Sequence, residues 1–507
     1  MPCSLTVLDG LDCIGGTKIL LQTKNAGVFL DFGINFRKFS LYFSNFLRPR
    51  SSRGIHDFLE LGLVPPLSVY REDLIPSDLS LFPDRPADAI YLSHAHTDHS
   101  GCAGLLHLKT VLCCSPLTAA ILRGMQDVRR EPPAEELVYT RIRRPRQEEG
   151  RVLVDDSVSP LEGREVRVTG SMGRLGEAWR QSPSERRGLN LETCKIVEAQ
   201  GPLTQKAWEV DHSIPGSTAF ALETEAGWVV YTGDFRMHGE RSGLTERFVE
   251  EAAGLEPRLL IIEGTRVTKE QDRRETEEEV YRNCLRVVKE ERGLLVADFS
   301  PRNFERLEIF RRIAKEVGRE LVIPPEDAYM LSLLECVDGR DRLSGLRVYG
   351  ELKEVRDTWE KRIRRKLLER MVDPSQVSQN PSQYLLCLSL WDINHLLDIK
   401  PQGGTYIYSS SEAFSEEELF DFRRLRSWLE HFRMRSVGLK FRDGKVEFEH
   451  GYHASGHASP KELLEVIERI RPKEVLPLHT ENRKWFKKKV KWVNVLLPAE
   501  GQGVSLE

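Results

Sequence analysis

One six-residue segment, His94-Ala95-His96-Thr97-Asp98-His99, concentrates side chains that bind metal ions. It contains three of the 13 histidines of the chain together with an aspartate, and it follows the apolar run at 88–93. Imidazole nitrogens and carboxylate oxygens are typical zinc ligands. A strand would point alternate side chains to opposite faces, whereas a loop can direct all four toward one point. The spacing therefore predicts a metal-binding loop at the end of a strand.

Other acidic residues and histidines have comparable surroundings further along the chain. A single histidine or aspartate is as often structural as it is a ligand, so their order and local sequence are interpreted together. These residues are Asp31 in LDFG, His212 in VDHSIPGS, Asp234 in YTGDFR, Glu263 in IIEGTR, His457 in HASGHAS and His479 in VLPLHTEN.

In this order the motifs resemble those of the metallo-β-lactamase superfamily, whose HxHxDH signature the first segment matches. Glu263, His457 and His479 resemble the three additional motifs of its nucleic-acid-processing branch, the β-CASP group. The spacing His453-Ala454-Ser455-Gly456-His457 is similar to that of the ribonuclease J family. The resemblance covers most of the chain and is least specific between positions 324 and 382.

The resemblance implies an α/β fold, namely a metallo-β-lactamase αββα sandwich with an inserted α/β β-CASP domain. The sequence pattern agrees, because long helical patterns rich in Lys, Arg and Glu begin only after Ile262. We expect residues 1–262 and 438–507 to form the sandwich domain and residues 263–437 to form the insertion.

The hydrophobic pattern also predicts individual elements. Segments 275–290, 303–317 and 360–371 are predicted to form helices. Ser100 is a suitable N-cap for a further helix at 100–108, directly after the histidine cluster.

The resemblance implies two zinc sites that share one carboxylate, with Mn²⁺ as an alternative to one or both zinc ions. Asp31 would hydrogen-bond a ligand histidine and thereby fix its ring. The implied ligands are His94, His96 and His212 for one ion, Asp98, His99 and His479 for the other, and Asp234 between them.

The same resemblance implies how phosphodiester hydrolysis would proceed. A hydroxide activated by both metal ions would attack phosphorus, so Asp98 and Asp234 would act in catalysis as well as in metal binding. His457, oriented by Glu263, would protonate the leaving oxygen. A structural link between domains is the alternative role for this second pair.

Polar residues in three segments are candidates for binding phosphate groups of RNA. Hydroxyl and imidazole groups can donate hydrogen bonds to phosphate oxygens, and a helix N-terminus favours anions. Arg306 would lie one turn into the helix that follows Asn303, and the Ser409-Ser410-Ser411-Glu412 turn follows a predicted strand. Helix capping and loop ordering are the alternative roles. The candidates are His453, Ser455, Ser300, Arg302 and Ser410.

These features favour a zinc-dependent ribonuclease of the ribonuclease J type, acting as a 5′→3′ exonuclease and also as an endonuclease. His479 favours RNA, because DNA-repair members of the β-CASP group usually have valine at this motif. A structure-selective DNA nuclease remains an alternative. A non-catalytic RNA-processing subunit is less favoured because every ligand position is filled, and the insertion disfavours a small-molecule hydrolase.

Composition sets the remaining expectations. A net charge of −4 gives no global attraction to nucleic acid, so contacts must come from a local basic surface or from metal ions. No apolar run is long enough to span a membrane, and the first residues do not resemble a signal peptide. Nine cysteines without a CxxC pair suggest buried thiols in a reducing cytoplasm. We expect a cytoplasmic protein that binds RNA, with single-stranded DNA as an alternative ligand and a homodimer as an open question.

Overall fold

The computed structural model describes residues 3–44, 46–80, 87–129, 132–268, 275–410, 416–442 and 445–507, without the side chains of 416–420. These residues form three large β-sheets with helices on their faces. In these ranges no helix is both long enough and apolar enough to span a membrane.

The strands up to the start of the predicted insertion are short and mostly buried. They are β1 (Ser4–Asp9), β2 (Lys18–Gln22), β3 (Gly27–Phe32), β4 (Ala89–Tyr91), β5 (Val111–Cys114), β6 (Tyr139–Thr140), β7 (Arg143–Arg146), β8 (Glu149–Asp155), β9 (Glu162–Gly163), β10 (Val166–Val168), β11 (Ile196–Glu198), β12 (Gln205–Glu209), β13 (Thr218–Thr224), β14 (Gly227–Tyr231) and β15 (Leu259–Glu263).

The later strands belong to the third sheet, to a small hairpin and to the end of the chain. They are β16 (Leu294–Asp298), β17 (Glu320–Ile323), β18 (Leu346–Tyr349), β19 (Met371–Val372), β20 (Tyr384–Cys387), β21 (Gly404–Tyr408), β22 (Met434–Val437), β23 (Leu439–Arg442), β24 (Lys445–Phe448), β25 (Glu474–Leu478), β26 (Asn494–Val495) and β27 (Gly503–Ser505).

The α-helices are concentrated after residue 241. They are α1 (Phe36–Phe39), α2 (His56–Glu60), α3 (Thr97–Ser100), α4 (Pro116–Val128), α5 (Leu175–Trp179), α6 (Ser242–Ala253), α7 (Glu277–Glu290), α8 (Phe304–Val317), α9 (Pro325–Asp338), α10 (Thr358–Lys366), α11 (Pro374–Gln379), α12 (Leu396–Ile399), α13 (Glu416–His431), α14 (Pro460–Ile470) and α15 (Arg483–Lys489).

Two sheets form a sandwich. Their strand orders are β11-β10-β5-β4-β3-β2-β1-β27 and β12-β13-β14-β15-β25-β26. The inner faces pack on each other through Leu30 and Tyr91 from one sheet and Phe220 and Ile261 from the other. Helix α4 packs on the outer face of the first sheet, and α6 and α14 pack on the outer face of the second. The layers are therefore αββα, as predicted.

The third sheet consists entirely of strands between positions 294 and 437. Its order is β19-β18-β17-β20-β16-β21-β22, and every paired neighbour is parallel. Parallel neighbours require crossover connections, which helices such as α8 and α9 provide. This sheet lies within the predicted insertion of 263–437, although the exact boundaries of that domain stay a prediction.

The chain leaves the sandwich after β15 and returns to the neighbouring position in the same sheet. Strand β25 pairs in parallel with β15, with Leu259 opposite Glu474 and Glu263 opposite Leu478. The insertion therefore starts and finishes at one edge of the sandwich, beside the ends of these two strands.

Three of the four predicted helices form, although the one expected at 360–371 is shorter and ends at Lys366 as α10. Helices α7 and α8 match the segments 275–290 and 303–317, and Asn303 accepts a hydrogen bond from the amide of Arg306 as the N-cap of α8. The helix expected at 100–108 is wrong. Helix α3 ends at Ser100, because the next available amide, that of Cys102, donates to the Phe32 carbonyl at 3.0 Å and so joins the chain to β3.

Candidate metal centre

The candidate ligands follow the carboxyl ends of parallel strands in both sandwich sheets. Strands β3 and β4 are parallel, and Asp31 and His94 lie where they end. Strands β14, β15 and β25 are also parallel, and Asp234, Glu263 and His479 lie at their ends. Carboxyl ends of adjacent parallel strands share one edge, so the two sheets bring these side chains to a common place.

Three histidines form the first ligand group. The Nε2 atoms of His94 and His212 lie 3.0 and 3.3 Å from Nδ1 of His96. Burial lowers the pKa of His94 well below its usual value, and burial together with the neighbouring His457 lowers the pKa of His212 to about 4. Neutral imidazoles at neutral pH are the form that metal binding requires.

Two carboxylates and two further histidines form the second group. Asp98 Oδ2 lies 3.0 Å from His479 Nε2 and 3.6 Å from His99 Nε2. Asp234 Oδ2 lies 3.1 Å from His99 Nε2 and 3.8 Å from His94 Nε2 of the first group. Asp234 is therefore placed between the two groups, and all seven predicted ligands come together.

The residues fit metal ions in their donor set and in their hydrogen bonding. Asp234 Oδ1 is buried and finds no hydrogen-bond partner within the described ranges, and His99 Nε2 has only the ligand carboxylates beside it. A buried polar atom without a partner costs about 1–3 kcal/mol, which a bound cation would remove. Imidazole nitrogen and carboxylate oxygen are also the ligands that zinc commonly takes.

Asp31 organises the first-sheet side of the centre. Its Oδ1 accepts from the Ser93 amide at 2.7 Å, and its Oδ2 accepts from His99 Nδ1 at 2.7 Å, from the Ser93 hydroxyl at 2.6 Å and from the Tyr231 hydroxyl at 2.5 Å. The bond to His99 leaves Nε2 of that ring directed at the ligand group. The structure therefore gives Asp31 the contact expected for it, and adds Ser93 and Tyr231, which sequence reasoning missed.

Backbone conformation is specialised where two of these strands end. Asp31 and His479 adopt left-handed backbone with φ of 54° and 52°. Gly233, with φ of 57°, precedes Asp234, and a Cβ atom there would lie 2.7 Å from Cβ of Ser93. A glycine is thus required for the Asp234 loop to approach the loop that holds His94.

Glu263 and His457 form a pair next to Asp234. Nδ1 of His457 lies 3.1 Å from Glu263 Oε2 and 3.9 Å from Asp234 Oδ2. Burial would lower the pKa of His457, but Glu263 and Asp234 outweigh burial and raise the pKa to about 9. In the metal-free protein the ring is therefore protonated at neutral pH. The side chains of His457 and Asp98 are 23% and 20% exposed, whereas those of His94, His99, Asp234 and His479 are at most 3% exposed, so the centre opens to solvent beside this pair.

Thr265 connects this pair to the second ligand group, and sequence reasoning missed it. Its hydroxyl lies 2.6 Å from Glu263 Oε2, 2.9 Å from His479 Nδ1 and 3.2 Å from His457 Nδ1. The sequence signal that could have identified Thr265 was its position two residues after Glu263, at the end of a buried strand. Asp234, Glu263 and His457 also lie close enough together to hold a cation themselves.

Buried ion pairs hold the inserted domain against the loop that carries His457. Arg236 donates to Glu277 and to the Ser455 carbonyl, both at 3.2 Å. Arg306 bonds Glu277 at 3.0 Å and the Tyr452 carbonyl at 3.1 Å. Arg306 is fully buried in this network, so its guanidinium is not accessible to a phosphate group. The phosphate contact that its sequence position had suggested is therefore wrong.

Three of the five phosphate candidates share one cavity between the domains. Ser300, Arg302 and Ser410 line a cavity of about 380 Å³. Arg302 Nη1 also donates to the Ala95 carbonyl and to the Thr97 hydroxyl, each at 3.3 Å, which places the cavity against the metal-binding loop.

The other two candidates lie in the loop before His457 and are not among the residues that line this cavity. The Ser455 hydroxyl accepts from the His457 amide at 3.2 Å and so orders that loop. His453 is half-buried two residues earlier. Ser409 is buried, whereas Ser411 and Glu412 lie outside the described residues.

Comparisons with known proteins agree with this geometry. Residues 445–497, which include His457 and His479, match the family described as Zn-dependent metallo-hydrolase RNA specificity domain. Ribonuclease J from Thermus thermophilus is 25% identical over 292 residues, which cover 56% of this chain and 47% of that protein. Ribonuclease J from Helicobacter pylori is 21% identical over 496 residues, which cover 94% of this chain and 56% of that protein. The chain thus spans about half the length of the curated relatives it matches.

A solved structure shows the same fold over the whole chain. It is the crystal structure of a protein of unknown function from Enterococcus faecalis V583, with a TM-score of 0.66, 21% identity and coverage of 99% of this chain and 100% of that one. A zinc-dependent family implies a metal cofactor, which the two ligand groups can accommodate. The domain match and the two relatives support a metallo-β-lactamase fold of the β-CASP, ribonuclease J-like type.

Proposed function

We propose that the protein is a zinc-dependent ribonuclease that holds two metal ions and hydrolyses phosphodiester bonds of RNA. The observation that supports this proposal is the pair of ligand groups with Asp234 between them, beside a histidine held by a carboxylate. Two metal ions held side by side by these groups would suit in-line displacement at phosphorus. The names of the two relatives and of the matched domain favour RNA as the substrate.

The side chains around the groups would each have a defined task. When bound, the metal ions would supply Lewis-acid activation of water and of the phosphate. His457 would donate a proton to the leaving oxygen from Nε2, because its Nδ1 contacts Glu263. Glu263 keeps that ring protonated and oriented, and the Phe235 amide, which donates to Glu263 Oε1 at 3.1 Å, fixes this carboxylate.

We further propose that degradation proceeds 5′→3′ from a terminal monophosphate, with internal cleavage as a slower activity. The cavity beside the metal loop offers a guanidinium and two hydroxyls, from Arg302, Ser300 and Ser410, and such groups bind phosphate by charge-assisted hydrogen bonds. His453 would approach from the loop before His457. Ordering of that loop is the alternative role for His453.

The proposed function is tested with one RNA sequence that carries a 5′-monophosphate, a 5′-hydroxyl or a 5′-triphosphate, and with DNA of the same sequence. We expect RNA with the monophosphate to be degraded fastest, with products released from its 5′ end. Charge-assisted bonds contribute about 1.5–3 kcal/mol each, so a tenfold to hundredfold preference is expected. Equal rates on all three ends would refute the exonuclease proposal, and preferred cleavage of DNA would favour the structure-selective DNA nuclease.

Variants identify the pocket, and metal exchange identifies the cofactor. Arg302→Gln and His453→Ala should reduce the preference for the monophosphate more than they reduce internal cleavage. Arg365→Gln, which removes an exposed charge from α10 of the same domain, is the matched control. Removal of metal by a chelator should abolish hydrolysis, and separate addition of Zn²⁺ or Mn²⁺ should show which ion restores it.

A further inference from the structure

A cluster of exposed apolar side chains follows the strand that leads to the metal centre. It contains Phe36, Leu41, Tyr42, Phe46 and Leu47, with exposed fractions from 47% for Tyr42 to 88% for Phe46. We call these five residues the rim. Exposed apolar residues are normally scattered, and a concentration of them marks an interaction surface.

The rim begins close to the open side of the metal centre. Asn35, which caps α1, is packed against Gly16, where a Cβ atom would lie 2.5 Å from Cβ of Asn35. The adjacent Gly15 is packed against the ligand Asp98, with a corresponding distance of 2.8 Å to Cβ of Asp98. The Ile34 amide also donates to the carbonyl of Thr97 at 3.0 Å. Asn35, which immediately precedes the rim, and the partly exposed Asp98 therefore pack against two adjacent glycines.

The other end of the rim contacts the inserted domain. The guanidinium of Arg424, on α13, lies 5.9 Å from the ring centre of Phe46. Two neighbouring residues of the same helix, Phe422 and Leu425, line the cavity that contains Arg302. The rim thus extends from the metal centre toward the wall of the phosphate cavity.

The charge around the rim suits a polyanion. Positions 35–53 contain Arg37, Lys38, Arg48, Arg50 and Arg53 and no acidic residue, although the whole chain has a net charge of −4. Lys38, Arg50 and Arg53 form ion pairs with acidic side chains outside this segment. Arg37 and Arg48 are exposed, and no ion pair involves them in the part of the chain that the structure describes.

We propose that the rim binds the unpaired bases of single-stranded RNA as it extends from the metal centre. This inference rests on the proposed ribonuclease function. Phe46 and Tyr42 stack on successive bases, and Arg37 and Arg48 contact the intervening phosphates. Aromatic side chains interleaved with basic ones bind single strands in this way, because every base offers a flat face and every linkage carries a charge. Paired bases are already stacked, so duplex RNA gains nothing from the aromatic side chains.

The test measures binding of hydrolysis-resistant phosphorothioate RNA to the metal-loaded protein by fluorescence anisotropy. Oligomers of about four and about sixteen nucleotides distinguish the metal centre from the rim. Phe46→Ala and Tyr42→Ala should each weaken binding of the long oligomer about tenfold, which is within the range for loss of one stacked base. The short oligomer should bind equally well to all variants. In hydrolysis of a long substrate, KM should rise while kcat stays unchanged.

Two further variants separate stacking from charge and from folding. Phe46→Trp should restore binding, because it keeps a flat aromatic face. Arg37→Gln should reduce the slope of log affinity against log salt by about 0.7, as expected for one lost phosphate contact to a single strand. Trp492→Ala is the matched control, since Trp492 is an aromatic residue 52% exposed in the C-terminal part of the sandwich domain.

Several outcomes would overturn the inference. If the unaltered protein cleaves RNA but Phe46→Ala and Tyr42→Ala bind the long oligomer normally, the rim has no role in binding while the proposed function stands. An equal loss in Trp492→Ala would show that stacking is not specific to the rim. Unchanged RNA binding with conversion of a dimer to a monomer would assign the rim to a second copy of the chain. If the unaltered protein neither binds nor cleaves RNA, the proposed function and this inference both fail.

Discussion

Replacement of Asp31 by asparagine tests whether a carboxylate that touches no metal controls metal affinity. Asp31 is fully buried and accepts four hydrogen bonds, three of them at Oδ2. Asparagine has the same shape and tolerates the left-handed backbone, with φ of 54°, that this position adopts. The substitution therefore removes the charge and introduces an amide donor without adding backbone strain.

The expected effect follows from the bond to His99. With the charge gone, His99 Nδ1 loses a charge-assisted hydrogen bond at 2.7 Å, and the ligand atom Nε2 on the same ring becomes less basic. If the amide oxygen takes the place of Oδ2, the NH₂ group meets the Ser93 amide, which is also a donor. Such losses weaken metal binding about 10–100-fold, which corresponds to about 1.4–2.8 kcal/mol.

The assay is a competition between the protein and a chromophoric zinc chelator, read separately from thermal unfolding of the metal-free protein. Asp127→Asn is the matched control, because Asp127 is also buried and bonded to three side chains, Arg123, Tyr139 and Tyr329, away from the ligand groups. The control should lose stability and keep its zinc affinity. Unchanged zinc affinity in Asp31→Asn would refute the idea that Asp31 acts through His99.

Further predictions concern the bridging ligand, the proposed acid and the domain contact. Asp234→Ala should lose metal from both groups, as measured by elemental analysis, and with it RNA hydrolysis. His457→Ala should retain metal and slow RNA hydrolysis about 10²–10⁴-fold. The loss should be much smaller on a nitrophenyl phosphodiester, whose leaving group needs no proton. Loss of metal from this variant would instead make His457 a ligand. In the unaltered protein, activity needs the protonated ring of His457, so activity should fall as the pH rises through about 9. Bound cations disfavour this proton and shift the fall to lower pH. His457→Ala should lack this fall. Glu277→Gln should reduce the free energy of unfolding in urea by about 3–5 kcal/mol, because it leaves Arg306 buried without its partner, whereas the exposed Glu278→Gln should not.

The cluster of candidate ligands was predictable because its signal is local. The cluster at His94–His99 is dense enough to be recognised alone, and Asp234, Glu263 and His479 each follow an apolar run that forms a buried strand. The resemblance in motif order then implied how these residues divide into two ligand groups, and the structure places the same residues together. The αββα layering followed from the same resemblance and from the change of pattern after Ile262.

What could not be predicted depends on contacts between distant positions. Tyr231 reaches Asp31 across 200 residues, and Thr265 reaches His479 across 214, and neither has a distinctive sequence context. Whether an aromatic residue is buried or exposed is equally hidden from its type, so the rim was not foreseen. The expected helix at 100–108 failed for the same reason, because the Cys102 amide bonds to the distant Phe32 carbonyl.

The order in which the chain supplies its ligands has a consequence for biosynthesis. The second ligand group takes Asp98, His99 and Asp234 from the first half of the chain and His479 only after the insertion has been made. At about 5–20 residues per second, the 380 residues from Ser100 to His479 take roughly 20–80 s to synthesise. A nascent or truncated chain that ends before this last histidine can present the early ligands but cannot complete the group. If the protein is the ribonuclease proposed, a newly made copy completes this ligand group only after the ribosome has passed that position.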